Sequence, residues 1–177
     1  MADAFDTLGL APTYGQDLVA AEATYRELSR ALHPDRHAGK SAAERRAALS
    51  RAIEVNEAWR ALRDPVRRAE ALLVRLGVPV GESREPVGDP ALLMEVMERR
   101  EALAEARAAQ DLAAVRRLGA EMRERDAAVQ AELARGFAAL TTAPDPSVRD
   151  ALLRKLGELR YVRRFLEEVG EIEDLIG

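Results

Sequence analysis

Residues 77 to 90, GVPVGESREPVGDP, hold three prolines and three glycines and show no helical spacing of apolar side chains. Proline cannot donate in a helix and glycine loses the most backbone entropy there, so this stretch interrupts whatever forms around it. The stretches on either side carry apolar residues at steps of three and four. Two all-α bodies are therefore expected, with residues 1–76 forming the first, 77–90 the linker and 91–177 the second. Composition points the same way. Ala, Leu, Glu and Arg dominate and aromatics are only 4%, and such side chains lose little freedom on a helix.

Local signals place the elements of the first body. A short helix around Phe5 and Leu8 should end near Gly9, and a second should run from an Asp17 N-cap to Leu32. Its apolar positions Leu18, Ala21, Tyr25, Leu28 and Leu32 step by 3, 4, 3 and 4, which predicts one buried stripe. Pro34 must stop it, because proline also disfavours the α conformation in the residue before it. Ser41-Ala42-Ala43-Glu44 reads as a capping box opening a third helix through Leu49, Ile53, Trp59 and Leu62. Asp64-Pro65 reads as an N-cap and first-turn proline of a fourth helix closed by Gly77.

The second body should hold three longer helices in an antiparallel bundle. The first opens at Asp89-Pro90 and runs to about Gln110. The next starts near Asp111, with apolar positions Val115, Leu118, Met122, Val129, Leu133 and Leu140. The last follows Pro146, with Leu152, Leu156, Leu159, Leu166 and Val169.

Several function classes find little support. No apolar run approaches the roughly 20 residues that span a bilayer, and the N-terminus MADAFDTLGL lacks a basic region and an apolar signal core, so a cytoplasmic protein is expected. With no cysteine, thiolate ligation of a metal or cluster is ruled out. The net charge of -4 divides unevenly: residues 1–76 carry 12 Lys and Arg against 11 Asp and Glu, and residues 77–177 carry 15 against 20. Without a basic stretch interleaved with aromatics, nucleic acid is a poor candidate partner.

The only two histidines lie four apart in ALHPDRHAG, residues 31–39. A metal half-site, an acid/base cluster, a helix-ending turn and a contact loop are the competing readings. Pro34 breaks the helix that would align His33 with His37, and no cysteine or third histidine completes a shell, which disfavours a metal. No nucleophile-elbow serine accompanies them. The turn and the contact loop both stay open on these residues alone, and His37 is read as a bystander.

The surrounding residues resemble a J-domain. A helix containing Tyr25-Arg26-x-Leu28 precedes His33-Pro34-Asp35, and a helix with Ile53-x-x-Asn56-Glu57-Ala58-Trp59-x-x-Leu62 follows. Within that group the chain is most similar to the HscB family, through Phe5-x-x-Leu8-Gly9-Leu10, Arg68-Ala69-Glu70-x-Leu72-Leu73 and Leu93-Met94-Glu95. The resemblance implies an L-shaped co-chaperone without enzymatic activity or cofactor. Its J-domain would stimulate the ATPase of a DnaK-type chaperone such as HscA. Its C-terminal bundle would deliver the IscU-type scaffold of iron–sulfur cluster assembly. It assigns chaperone docking to His33, Pro34 and Asp35. Basic residues nearby, Arg26, Arg30 and Arg36, would extend the contact, Arg36 standing where lysine is usual. Other readings are a helical adaptor without ATPase coupling and a general J-protein. The lack of a Gly/Phe-rich linker and of zinc-binding cysteines argues against the last.

The helix from Pro90 carries more apolar surface than one bundle face needs. Leu92, Val96, Leu103 and Ala106 form one stripe, interrupted by Arg99. Leu93, Met94 and Met97 lie elsewhere, with Glu98, Glu101 and Glu105 beside them. This predicts an exposed apolar patch edged by carboxylates, for which adaptable methionine is well suited. On the last helix Tyr161 and Phe165 fall away from the leucine stripe and are expected to face outward. In the HscB family the matching positions bind the scaffold. Residue by residue these are Leu93, Met94, Met97, Glu98, Glu101, Glu105 and Tyr161, with Met97 and Tyr161 replacing the common leucine and phenylalanine.

Overall fold

The structure is a computed structural model that describes residues 3–80, 90–140 and 146–177, with side chains from residue 92 onward in the second stretch. Among the described residues it is all-helical: α1 (Ala4–Leu8), α2 (Leu18–Ala31), a 3-10 turn (Pro34–His37), α3 (Ala42–Arg63), α4 (Pro65–Arg75), α5 (Pro90–Ala108), α6 (Leu112–Ala138) and α7 (Pro146–Ile176). Contacts divide the chain into two compact units, Met1–Val78 and Pro79–Gly177. Asp89, where the first helix of the second body is expected to open, and most of the expected linker lie outside the described residues.

The caps form where the residues call for them. The Asp17 carboxylate accepts from the amides of Val19 and Ala20, both at 3.0 Å. Ser41 and Glu44 make the reciprocal capping box, worth about 1 kcal/mol. Asp64 and Asp111 accept from Arg67 and Ala114. Gly9 (φ 65°) and Gly77 (φ 76°) close α1 and α4 in the left-handed conformation. Between α5 and α6 that role falls to Gln110 (φ 53°), a position where glycine is usual.

In the first unit α2 and α3 form the antiparallel hairpin, with α1 and α4 packed on α3. Phe5, Leu8, Tyr14, Ala21, Val55, Ala58, Leu62, Ala69, Leu72, Leu73 and Val78 make its core. Val78 belongs to this core, and its amide bonds the Leu73 carbonyl at 2.9 Å. Arg68 is buried, donating to the Leu62 carbonyl at 2.7 Å beneath the Tyr14 ring. Two expected stripes are corrected here. In α2 only Ala21 is fully buried, and Leu18 is exposed. In α3 the buried line is Ala48, Val55, Ala58 and Leu62, while Leu49 and Ile53 are exposed. With α1, α2 and α4 all gathered on α3, burial is set by where those neighbours sit, which periodicity alone does not reveal.

In the second unit α6 and α7 form the main pair and α5 packs on both. Leu103 and Ala106 join Val115, Met122, Val162, Phe165, Val169 and Ile172 in one cluster. Fully burying each large side chain there contributes roughly 1.5–3 kcal/mol. The expected outward face of α7 is corrected as well. Phe165 is fully buried and Tyr161 is packed partly against the same cluster. The α7 seam drifts around the helix, from Leu152, Leu156 and Leu159 to Val162, Phe165, Val169 and Ile172. A repeat shorter than 3.6 residues produces this drift, as in coiled coils.

Two glycines test how tightly the pair is fitted. A Cβ on Gly119 of α6 would lie 2.9 Å from Val169 Cγ1, whereas one on Gly170 of α7 meets nothing within 4 Å. Alanine gains up to about 1 kcal/mol over glycine in a helix. Overpacking against a stiff, buried valine costs about 1–3 kcal/mol. Gly119→Ala should therefore lower the chemical-denaturation midpoint and Gly170→Ala should raise it.

Candidate functional site

At the tip of the α2–α3 hairpin, the chain must leave α2 with Pro34 in its path. Proline has no N–H, so the Arg30 carbonyl loses its normal i+4 donor. The His33 amide reaches that carbonyl instead, at 3.4 Å, and the Leu32 amide closes on Leu28 at 3.0 Å. His33 then acts as N-cap of the 3-10 turn, its Nδ1 accepting from the Asp35 amide at 3.3 Å. With Nδ1 accepting, the proton of the neutral ring sits on Nε2. The Asp35 carboxylate lies 3.5 Å from the same Nδ1, an ion pair only for a protonated ring, and its side chain is 89% exposed.

Ser29, Arg30, His33, Asp35 and Arg36 line one shallow cleft of about 470 Å³. Arg30 and Arg36 therefore join the tripeptide in one place. Arg26 lies a turn below, its guanidinium paired with Glu22 at 2.7 Å. Beneath the tip, Tyr25 and Trp59 stack at 5.3 Å between centroids, and the Tyr25 hydroxyl donates to Asn56 at 2.8 Å. These contacts join α2 to α3 and so hold the loop between two braced helices.

His37, expected to be a bystander, is corrected: its Nε2 lies 3.0 Å from the Ala31 carbonyl.

On α5 the buried stripe and the patch separate cleanly. Leu103 and Ala106 are buried, and Arg99 on the same side pairs with Glu121 of α6 at 2.9 Å and Glu95 at 3.1 Å. Leu93, Met94 and Met97 are 60%, 64% and 64% exposed. Glu98, Glu101 and Glu105 are exposed as well. At 100° per residue these six fall within about 140° of the helix circumference, forming one continuous face.

Tyr161 lies on α7 and is half-buried. Its ring meets Phe165 at 6.1 Å between centroids. Its hydroxyl is buried with no hydrogen-bond partner among the described residues. Burial raises its pKa above the usual tyrosine range, the nearby charges being Arg99, Arg100, Glu95 and Glu168. The neutral phenol's contribution is complete below the unfolded pKa near 10 and is lost as pH rises through the raised folded value. Removing a buried, unpaired hydroxyl relieves roughly 0.5–2 kcal/mol. Tyr161→Phe should therefore raise the thermal midpoint and soften the alkaline loss of stability, both readable by calorimetry.

The first unit matches the DnaJ domain family over residues 3–71, and the second matches the HSCB C-terminal oligomerisation domain family over residues 88–170. The chain is 37% identical over 172 residues to the co-chaperone protein HscB homolog of Burkholderia multivorans, covering 97% of this chain and 94% of that one. This chain belongs to the HscB family.

A second HscB homolog, from Cupriavidus taiwanensis, is 46% identical over 138 residues, covering 76% of this chain and 78% of the relative. Among solved structures, chaperone HscB from Vibrio cholerae superposes with a TM-score of 0.84 at 28% identity, covering 99% of each chain. Human co-chaperone HscB superposes with a TM-score of 0.83 at 22% identity, covering 96% of this chain and 81% of that one, and shares the fold. The protein is thus an HscB-family co-chaperone built from a J-domain and an HscB C-terminal domain, and neither matching family is a catalytic one. A J-domain co-chaperone implies a partner of the DnaK type. No described helix is long and apolar enough to cross a membrane.

Proposed function

We propose that this chain stimulates ATP hydrolysis by a DnaK-type chaperone of the HscA kind through His33, Pro34 and Asp35, and that α5 presents an IscU-type iron–sulfur scaffold to it. The observation that carries the reading is the separation of two exposed surfaces on two units. One is a loop mounted between two helices and bearing a well-exposed carboxylate at Asp35. The other is the Leu93, Met94 and Met97 face edged by glutamates.

The loop's chemistry suits a cationic partner site. Asp35 supplies a carboxylate, His33 a ring N–H, and Arg30 and Arg36 steer association with an acidic surface. Arg26 adds less, because Glu22 already neutralises it. On α5, leucine and methionine provide apolar anchors that adapt in shape, and the carboxylates select a basic rim on the partner. Tyr161 contributes by supporting the seam behind α5. The cluster is cargo of the scaffold, and the setting is cytoplasmic.

Isothermal titration calorimetry with a purified iron–sulfur scaffold tests the second half of the reading. One-to-one binding with a negative heat-capacity change is expected, the mark of apolar burial. Equal or greater affinity for unfolded clients would favour a general J-protein instead.

A further inference from the structure

Among the bonds that fix the tip of the α2–α3 hairpin, one is made by a side chain outside the His-Pro-Asp tripeptide, the ring of His37. The last carbonyls of α2 have few donors. Pro34 has no N–H to offer Arg30, and the Asp35 N–H, which would reach Ala31 in a continuing helix, is taken by His33 Nδ1 at 3.3 Å. The Ala31 carbonyl is met instead by His37 Nε2, at 3.0 Å and six residues further on. A carbonyl only accepts, so this Nε2 carries the proton and donates. The backbone of His37 serves the same fold, accepting from the Lys40 amide at 3.0 Å, while the Arg36 amide bonds the His33 carbonyl at 3.0 Å. The ring thus spans the loop from its far end back to the helix it leaves, with His33, Pro34 and Asp35 enclosed between.

We propose that His37 is a positioning residue for chaperone docking: its Nε2–H closes the end of α2 on Ala31 and holds residues 33–36 in the docking shape. The inference rests on the co-chaperone reading above and adds a residue to it. His37 is not itself one of the docking side chains, so its loss leaves all of them present but no longer held in the docking shape. The loop is then ordered only at the moment of binding, at a cost in apparent affinity. The maximal stimulated rate at saturation is retained.

Two measurements on the full chain separate this inference from the reading it rests on. The first is amide hydrogen exchange of Arg36 and Lys40 in the protein alone. His37→Leu should speed their exchange roughly three- to tenfold, the size expected for one lost hydrogen bond. His37→Gln, whose amide N–H2 can reach the same carbonyl, should restore protection. The second is ATPase stimulation of a purified DnaK-type chaperone. His37→Leu should raise the half-maximal concentration by a similar factor without changing the maximal rate, and His37→Gln should return it to that of the wild type. Unchanged exchange in His37→Leu overturns the positioning role whatever the ATPase shows. Faster exchange with an unshifted half-maximal concentration, or failure of His37→Gln to rescue either readout, overturns it as well. Wild-type protein that does not stimulate the ATPase at all overturns the co-chaperone reading, and the docking role with it.

Discussion

His33→Gln should reduce stimulation of the partner chaperone's ATPase to background while leaving the fold intact. The two halves of this expectation come from different observations. The ring is well exposed, 59% of its side-chain surface, and its bond to the Asp35 amide is long at 3.3 Å. Losing the cap of an exposed turn costs about 0.5–2 kcal/mol, too little to unfold the unit. The docking loss is larger. Glutamine has no ring nitrogen at the Nδ1 position to cap the 3-10 turn, so the Asp35 amide loses its acceptor and the carboxylate loses its setting. The N–H presented to the partner moves as well. Losing one anchor of a small contact surface costs 2 kcal/mol or more, which is roughly thirtyfold or more in affinity. Steady-state ATPase against co-chaperone concentration, with circular dichroism melts of both proteins, checks both halves.

Leu93→Ala combined with Met97→Ala should weaken scaffold binding by roughly 5- to 30-fold, at about 1–2 kcal/mol in total for truncated apolar anchors. Both side chains are at least 60% exposed, so the melting temperature should stay close to that of the wild type. Stimulation of the chaperone without scaffold should not change, because the loop lies on the other unit. Truncating Tyr161 would be a poorer probe than the sequence suggests. The residue packs against the Leu103, Val162 and Phe165 cluster, so its removal disturbs the bundle itself. Calorimetric titration of the double variant with scaffold measures the loss. Unchanged affinity would remove α5 from the binding account.

Features set by a few neighbouring residues were legible in the sequence. The caps at Asp17, Ser41 and Asp64 and the stops at Gly9 and Gly77 are decided within four residues, and each formed. The exposed α5 face was legible for a related reason: its stripe and its patch lie on opposite sides of one helix, so surplus apolar residues show up by counting. Features set by distant neighbours were not. Leu49 and Ile53 fit a helical stripe as well as Ala48 and Val55 do, and only the placement of the elements gathered on α3 decides between them. Phe165 falls off a seam drawn through Leu152, Leu156, Leu159 and Leu166, and only the further drift of the α7 seam brings it into the core. His37 was missed because periodicity carries no information about a side chain that bonds a carbonyl six residues back.

Single-turnover ATP hydrolysis by a purified DnaK-type chaperone, measured with this chain and with or without scaffold, bears most directly on the claim that two surfaces serve two partners. The wild-type chain should accelerate hydrolysis alone, and further when scaffold is present. His33→Gln should lose both increments, and Leu93→Ala with Met97→Ala should lose only the scaffold-dependent one. A double variant that keeps the full scaffold-dependent increment, or a His33→Gln protein as active as the wild type, would contradict the account.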